Sequence, residues 1–197
     1  MAAGGARRSM SGNGKDVMDS LQTLKDCIPD YAKDLRLNLD AVLNRSSLSP
    51  SQATAAALAA AFAAKCAPLV SALREDGDLD PAHAQAALTA AALMGMNNVW
   101  YPYVEMSGDA ELKTVRAELR MNAYATHGGV DKASFELYAL AASVVGKCEY
   151  CVQSHYKILR DGGFSTQQLR DVGRIAAVVN AVAQVLATEQ IGASETV

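Results

Sequence analysis

Cys148-Glu149-Tyr150-Cys151 places two thiols two residues apart, with His155 just downstream and the acid Glu136 upstream. Thiols at this spacing can close into a disulfide without large backbone motion, and each can lower the pKa of the other. On a helix, Cys151 and His155 stand at i and i+4, and Cys148 lies two turns from His155 on the same face. An imidazole so placed can reach a thiol and help take its proton. These residues are the minimum equipment for dithiol redox chemistry.

Their surroundings favour that chemistry. Gly146-Lys147 before Cys148 suggests that the pair opens a helix, where backbone amides and the helix dipole stabilise negative charge. Lys147 adds a cation. Glu149 would oppose both if it pointed inward, or be neutral to them if it faced solvent. Glu136 is the only formally charged residue between Ala133 and Gly146, amid Phe135, Leu137, Tyr138 and Leu140. Burying a carboxylate unpaired costs several kcal/mol, so an inward Glu136 needs a partner or a raised pKa. The alternatives are a solvent-facing acid, or one paired with Lys132. The order of attack is open: Cys151 is nearer His155, which favours it, and Cys148 is better placed for the dipole. Zinc on Cys148, Cys151 and His155 would need a fourth ligand, and no neighbour offers one.

The elements that must position these residues are helical, and strand signals are nearly absent. Helical spacing of apolar residues marks 17–27 and 31–43. Ser49-Pro50-Ser51-Gln52 is a cap followed by proline at the first helical position, opening an Ala-rich helix over 51–65. Pro68 begins a short helix closing at Asp76-Gly77. Asp80-Pro81 opens a long apolar helix to Trp100, ended by Pro102 and Ser107-Gly108-Asp109. A shorter polar helix spans 111–122, and His127-Gly128-Gly129 is a loop. Asp131 caps a helix to Val145, Gly146 breaks it, and 148–160 form the next. Ser165 with Gln168 caps a last helix to about Glu189. Residues 1–14 read as a flexible extension, 15–190 as one all-α domain, and 191–197 as a loose tail. Sliding the chain by 85 residues brings Cys66 onto Cys151 and Asp80 onto Ser165, which points to two related halves.

The chain's 197 residues suffice for one domain with a sizeable core. Half are apolar and 20% charged, which excludes a disordered chain. A net charge of -3 and a pI near 5.6 argue against nucleic acid or anionic membranes as partners. Four irregularly spaced cysteines are no disulfide framework, so a reducing, cytoplasmic setting is expected. Arg7-Arg8 is followed by charged residues rather than the apolar run of an export signal, and the Ala-rich 53–64 stretch is too short to span a bilayer. Cys27 and Cys66 read as small core residues, and His83 as exposed in a first turn. His127 could line a site. The Leu93-Met94-Gly95-Met96 run and Trp100, Tyr101 and Tyr103 read as core or subunit interface. No P-loop, dinucleotide fingerprint or Ser-His-Asp pattern is present.

The segment from Ser134 through Glu136, Cys148 and Cys151 to His155 resembles the active-site region of the AhpD alkyl hydroperoxidase family, in the carboxymuconolactone-decarboxylase-like superfamily. Tyr31–Leu39, Ala91–Trp100 and Leu119–Asn122 resemble it too, so the likeness covers roughly residues 16–190. The resemblance implies an all-α fold of two related halves, assembled as a homotrimer, with no bound cofactor. It implies a dithiol that reduces alkyl hydroperoxides weakly and donates electrons to the peroxiredoxin AhpC. Lipoyl groups of a 2-oxoacid dehydrogenase component would re-reduce it. Carried over by position, Cys148 and Cys151 are the redox pair, and Glu136 and His155 the relay that removes the thiol proton. Some members of the family have a histidine between the cysteines where this chain has Tyr150, a poor base at neutral pH. Two rival readings are a carboxymuconolactone-type decarboxylase, which needs no cysteine pair, and a non-enzymatic redox- or zinc-responsive binding module.

Overall fold

The computed structural model describes residues 20–75 and 79–194, with side chains through 189. The extension expected at 1–14, the Asp76-Gly77 turn and residues 195–197 lie outside the described residues. Within them the fold is all-α. Two short helices, α1 (Ser20–Asp26) and α2 (Lys33–Asn44), lead to α3 (Pro50–Ala63), α4 (Ala67–Glu75) and the long α5 (Pro81–Met106). A one-turn helix α6 (Asn122–Ala125) precedes α7 (Lys132–Gly146), α8 (Glu149–Asp161) and α9 (Thr166–Ser194), which runs past Gly192.

The centre is built from small residues. Ala53 and every residue from Ala55 to Ala61 are fully buried, so α3 lets α5, α7 and α9 approach it closely. Helix α7 is buried without a break from Ser134 to Ser143 and packs on α3, α5, α8 and α9. A helix covered on all sides must be apolar all round, which is why Glu136 stands out in it. Helix α9 is long and apolar enough to cross a membrane, yet it turns Val172, Ile175 and Val179 into this core against α2, α3 and α7.

Gly146 sits where α5 crosses the end of α7. A Cβ there would lie 2.0 Å from the Asn98 amide nitrogen, which donates to the Ala142 carbonyl (3.2 Å). Lys147 follows in the left-handed region (φ 56°) and caps α7, turning the chain into α8. The α3–α4 hairpin turns the same way at Lys65 (φ 58°), and the amides of Cys66 and Cys148 bond equivalent carbonyls of Ala61 and Ser143. In this register Cys66 stands opposite Cys148, not opposite Cys151 as the sequence offset suggests.

Four other expectations need correction. Helix α5 passes through Pro102 to Met106, because near a helix end the ring deprives only the Asn98 carbonyl of its partner. No helix spans 111–122: a 3-10 turn at Leu112–Thr114 gives way to extended backbone at Val115 and a left-handed Glu118. That polar stretch leaves Val115 and Leu119 exposed, and a helix with no face to bury has little to sustain it. Cys27 is exposed, its thiol donating to the Thr23 carbonyl. His83 is half-buried, bonded through Nδ1 to the hydroxyl of Tyr138, which is fully buried and requires a partner. As expected, Cys66 is buried. The aromatic end of α5 is not core: Val99, Tyr103 and Met106 are 69%, 52% and 80% exposed.

Asp171 on α9, which the sequence did not single out, ties that helix to the α2–α3 connection. Its carboxylate accepts from the Ser47 amide (2.8 Å) and hydroxyl (2.7 Å), and from Arg170 and Arg174. Burial alone would raise its pKa, but these bonds outweigh it and hold the group well below the usual carboxylate range. Asp171→Ala is expected to cost about 2–3 kcal/mol of stability, read by denaturant melts. The depressed pKa fixes the sign. Its contribution is full above the unfolded value near 3.9 and lost as the pH falls through the lower folded value.

Candidate active site

The turn at Lys147 delivers Cys148 as the N-cap of α8, its Sγ accepting from the Cys151 amide (3.3 Å). Cys148 and Cys151 are joined as a disulfide, with Cα atoms 5.3 Å apart. Both sulfurs therefore sit at the positive end of a 13-residue helix, where a thiolate is favoured. Lys147 and Glu149 are exposed, and Glu149 accepts from Gln153 on the solvent side, so it does not face the thiols.

One turn further along α8, His155 is 6% exposed and meets Glu136 of α7, which is fully buried. The two are joined by a 2.6 Å bond between His155 Nδ1 and Glu136 Oε2. Glu136 thus lies neither on a solvent face nor in a pair with Lys132. Burial would push its pKa up, but hydrogen bonds from His155 and Tyr124, and the charge on His155, reverse this and hold it below its ordinary value. Glu136 is therefore a carboxylate and can only accept. It follows that His155 carries a proton on Nδ1 and donates it to Glu136. Nε2 lies 3.2 Å from the thioether sulfur of Met94, a group with no proton to give it. An imidazole oriented in this way offers Nε2 for proton exchange with a thiol.

Beside it lies a cavity of about 250 Å³, lined by Cys151 and His155 together with Met94, Tyr101, Tyr124 and Tyr150. Cys148 is fully buried and does not line it, so Cys151 is the sulfur that a molecule in the cavity would meet. Tyr150 is half-exposed and stacks on Tyr101, with ring centroids 4.3 Å apart. The Tyr150 phenol thus forms part of the cavity rim. His127 does not reach the thiols; it packs edge-on to Tyr124 and against Phe135.

Sequence reading missed Tyr124, whose hydroxyl donates to Glu136 Oε1, and the polar contact of Met94 with His155. A lone tyrosine in an aperiodic stretch carries no spacing signal. Met94, in an apolar helix, reads as core, and it is fully buried. Among the described residues no group of three or more His, Cys, Asp or Glu is arranged to hold a metal ion.

The Carboxymuconolactone decarboxylase family profile matches residues 110–192, which hold Tyr124, Glu136, both cysteines and His155. Over longer spans the chain is similar to proteins named alkyl hydroperoxide reductase AhpD. It is 48% identical to that of Rhodospirillum centenum over 172 residues, covering 86% of this chain and 92% of the relative. The Coxiella burnetii protein is 44% identical over 170 residues (84% and 96%). That of Streptomyces coelicolor is 42% identical over 181 residues (89% and 99%). With identity at this level across nearly the whole of each relative, the chain belongs to the AhpD family of the carboxymuconolactone-decarboxylase-like superfamily.

Proposed function

We propose that this protein is a dithiol oxidoreductase that reduces alkyl hydroperoxides through Cys151 and Cys148. The observation that carries the reading is the cysteine pair at the start of α8, with Cys151 facing the cavity and His155 held by Glu136. The related proteins named alkyl hydroperoxide reductase support it.

In the reduced protein, His155 Nε2 takes the proton from the Cys151 thiol, and Glu136 stabilises the imidazolium that forms. The thiolate attacks the terminal peroxide oxygen, the O–O bond breaks, and the departing alkoxide takes a proton to become the alcohol. Cys151 is left as a sulfenic acid. The Cys148 thiolate then attacks the Cys151 sulfur, forms the disulfide and releases hydroxide, which becomes water. One hydroperoxide and two thiols give one alcohol, one water and one disulfide. A second dithiol must reopen the bond by exchange.

The electron source is the lipoyl group of a 2-oxoacid dehydrogenase component, and the peroxiredoxin AhpC is the partner that takes electrons onward; family resemblance supports both. The setting is cytoplasmic. Family resemblance supports a homotrimer, and the exposed apolar end of α5 at Val99, Tyr103 and Met106 is a surface that assembly would cover. A decarboxylase would have no use for the disulfide pair, and a zinc module would need ligands beyond the two thiols and one imidazole. Turnover of an alkyl hydroperoxide with dihydrolipoamide as sole reductant tests the reading. Steady consumption of both in equal amounts is expected. A disulfide that dihydrolipoamide leaves intact would overturn the proposed electron source.

A further inference from the structure

Glu136 is fully buried, and a single imidazole is thin compensation for a carboxylate in that position. Its second oxygen is met from another element. The segment between α5 and α7 crosses back over the bundle as a strap and presents Tyr124 from the one-turn α6, its hydroxyl donating to Glu136 Oε1. The strap is seated closely at Gly128, which takes a left-handed turn (φ 62°). A Cβ there would lie 2.8 Å from the Ala86 backbone. The Tyr124 ring is held edge-on to Phe135 (centroids 5.6 Å apart), one residue before Glu136. The same ring lines the cavity with Cys151 and His155.

We propose that Tyr124 is a positioning residue of this site: its hydroxyl occupies one carboxylate oxygen of Glu136, so that the group stays an anion with its other oxygen fixed on His155 Nδ1. The inference rests on the proposed relay and assigns it a third member. A hydrogen bond donated to a buried carboxylate favours the charged form, so Tyr124 lowers the affinity of the Glu136–His155 pair for an extra proton. That extra proton would sit on His155 Nε2 or on Glu136, and either would spoil the base. The groups facing the pair are His155 and the two cysteines from α8, Lys132 one turn back on α7, and Tyr124 from the strap. Helix α5 contributes Met94, Asn97 and the phenol of Tyr101, α8 adds the phenol of Tyr150 across the cavity, and α3 has no titratable side chain. The phenol itself does not ionise here, because burial and the adjacent carboxylate push its pKa above the ordinary value.

The test uses the full reduced chain with ¹⁵N-labelled histidine, following the His155 ring nitrogens against pH by NMR. His155→Phe identifies the His155 signals among the three histidines. Tyr124→Phe keeps the ring packing and removes only the donor. It is expected to raise the apparent pKa of the pair by about one unit, a tenfold gain in proton affinity. The acid limb of the peroxide kcat/KM profile should move up by the same amount, with the rate recovering at higher pH. Incorporating 3-fluorotyrosine at position 124, an isosteric and stronger donor, should move the titration the other way, and does so whether or not the Phe variant folds. Superimposable titrations for wild type, the Phe variant and the fluorinated protein would overturn the assignment. The titration needs no peroxide, so a wild-type protein that failed to reduce peroxide would count against the proposed function and leave this result separate.

Discussion

Cys151→Ser is expected to lower alkyl hydroperoxide turnover by about 10⁴-fold or more, the scale on which losing the attacking atom leaves only background. A serine hydroxyl in the same place has no accessible anion at neutral pH, so His155 cannot compensate. Cys148→Ser should behave differently. It loses steady turnover as completely, because no second thiol can expel hydroxide from the sulfenic acid. Its first step survives: one equivalent of peroxide is consumed, and Cys151 becomes reactive toward dimedone, a sulfenic acid trap. The asymmetry follows from burial, since Cys151 lines the cavity and Cys148 does not. Dimedone found on Cys148 of a Cys151→Ser protein, with none on Cys151 of the Cys148→Ser protein, would reverse the order of attack.

The relay gives the second large effect. Glu136→Gln is expected to cut turnover by about 10²-fold or more, within the range for loss of a general base. The amide can still accept from His155 Nδ1, so geometry survives while the stabilising charge is gone. His155→Phe should slow alkylation of Cys151 by iodoacetamide at neutral pH by a similar factor. Much of that rate should return at high pH, where the thiol ionises unaided. Glu136 holds its proton below the ordinary carboxylate value, so the acid side of the wild-type profile reports the Glu136–His155 pair and not the glutamate alone. Thermal melts run beside the rates separate chemistry from architecture. A His155→Phe protein with an unchanged alkylation profile would remove the histidine from the mechanism.

Much of this was legible in the residues. The caps Ser49, Asp80 and Asp131 each bond the amides their types predict, so helix starts were readable from one or two residues. Glu136 could be singled out because a charge in an apolar helix conflicts with its neighbours, and the structure places it at His155. The misreadings share one cause: local signals do not reveal what a segment packs against. Pro102 looks like a stop, but helix ends tolerate a missing donor. The 111–122 stretch has fair helix formers and no face to bury. His83 among alanines looks exposed until Tyr138 arrives from α7. Tyr124 and Asp171 were invisible for the same reason, since their partners lie on other elements.

The most direct measurement treats the reduced wild-type chain with one equivalent of an alkyl hydroperoxide, then maps its cysteines by mass spectrometry while quantifying the alcohol. The account predicts loss of two hydrogen atoms per chain, a Cys148–Cys151 linked peptide, Cys27 and Cys66 still free, and one alcohol per disulfide. Peroxide left unconsumed, or oxidation concentrated at Cys27 or Cys66, would contradict it.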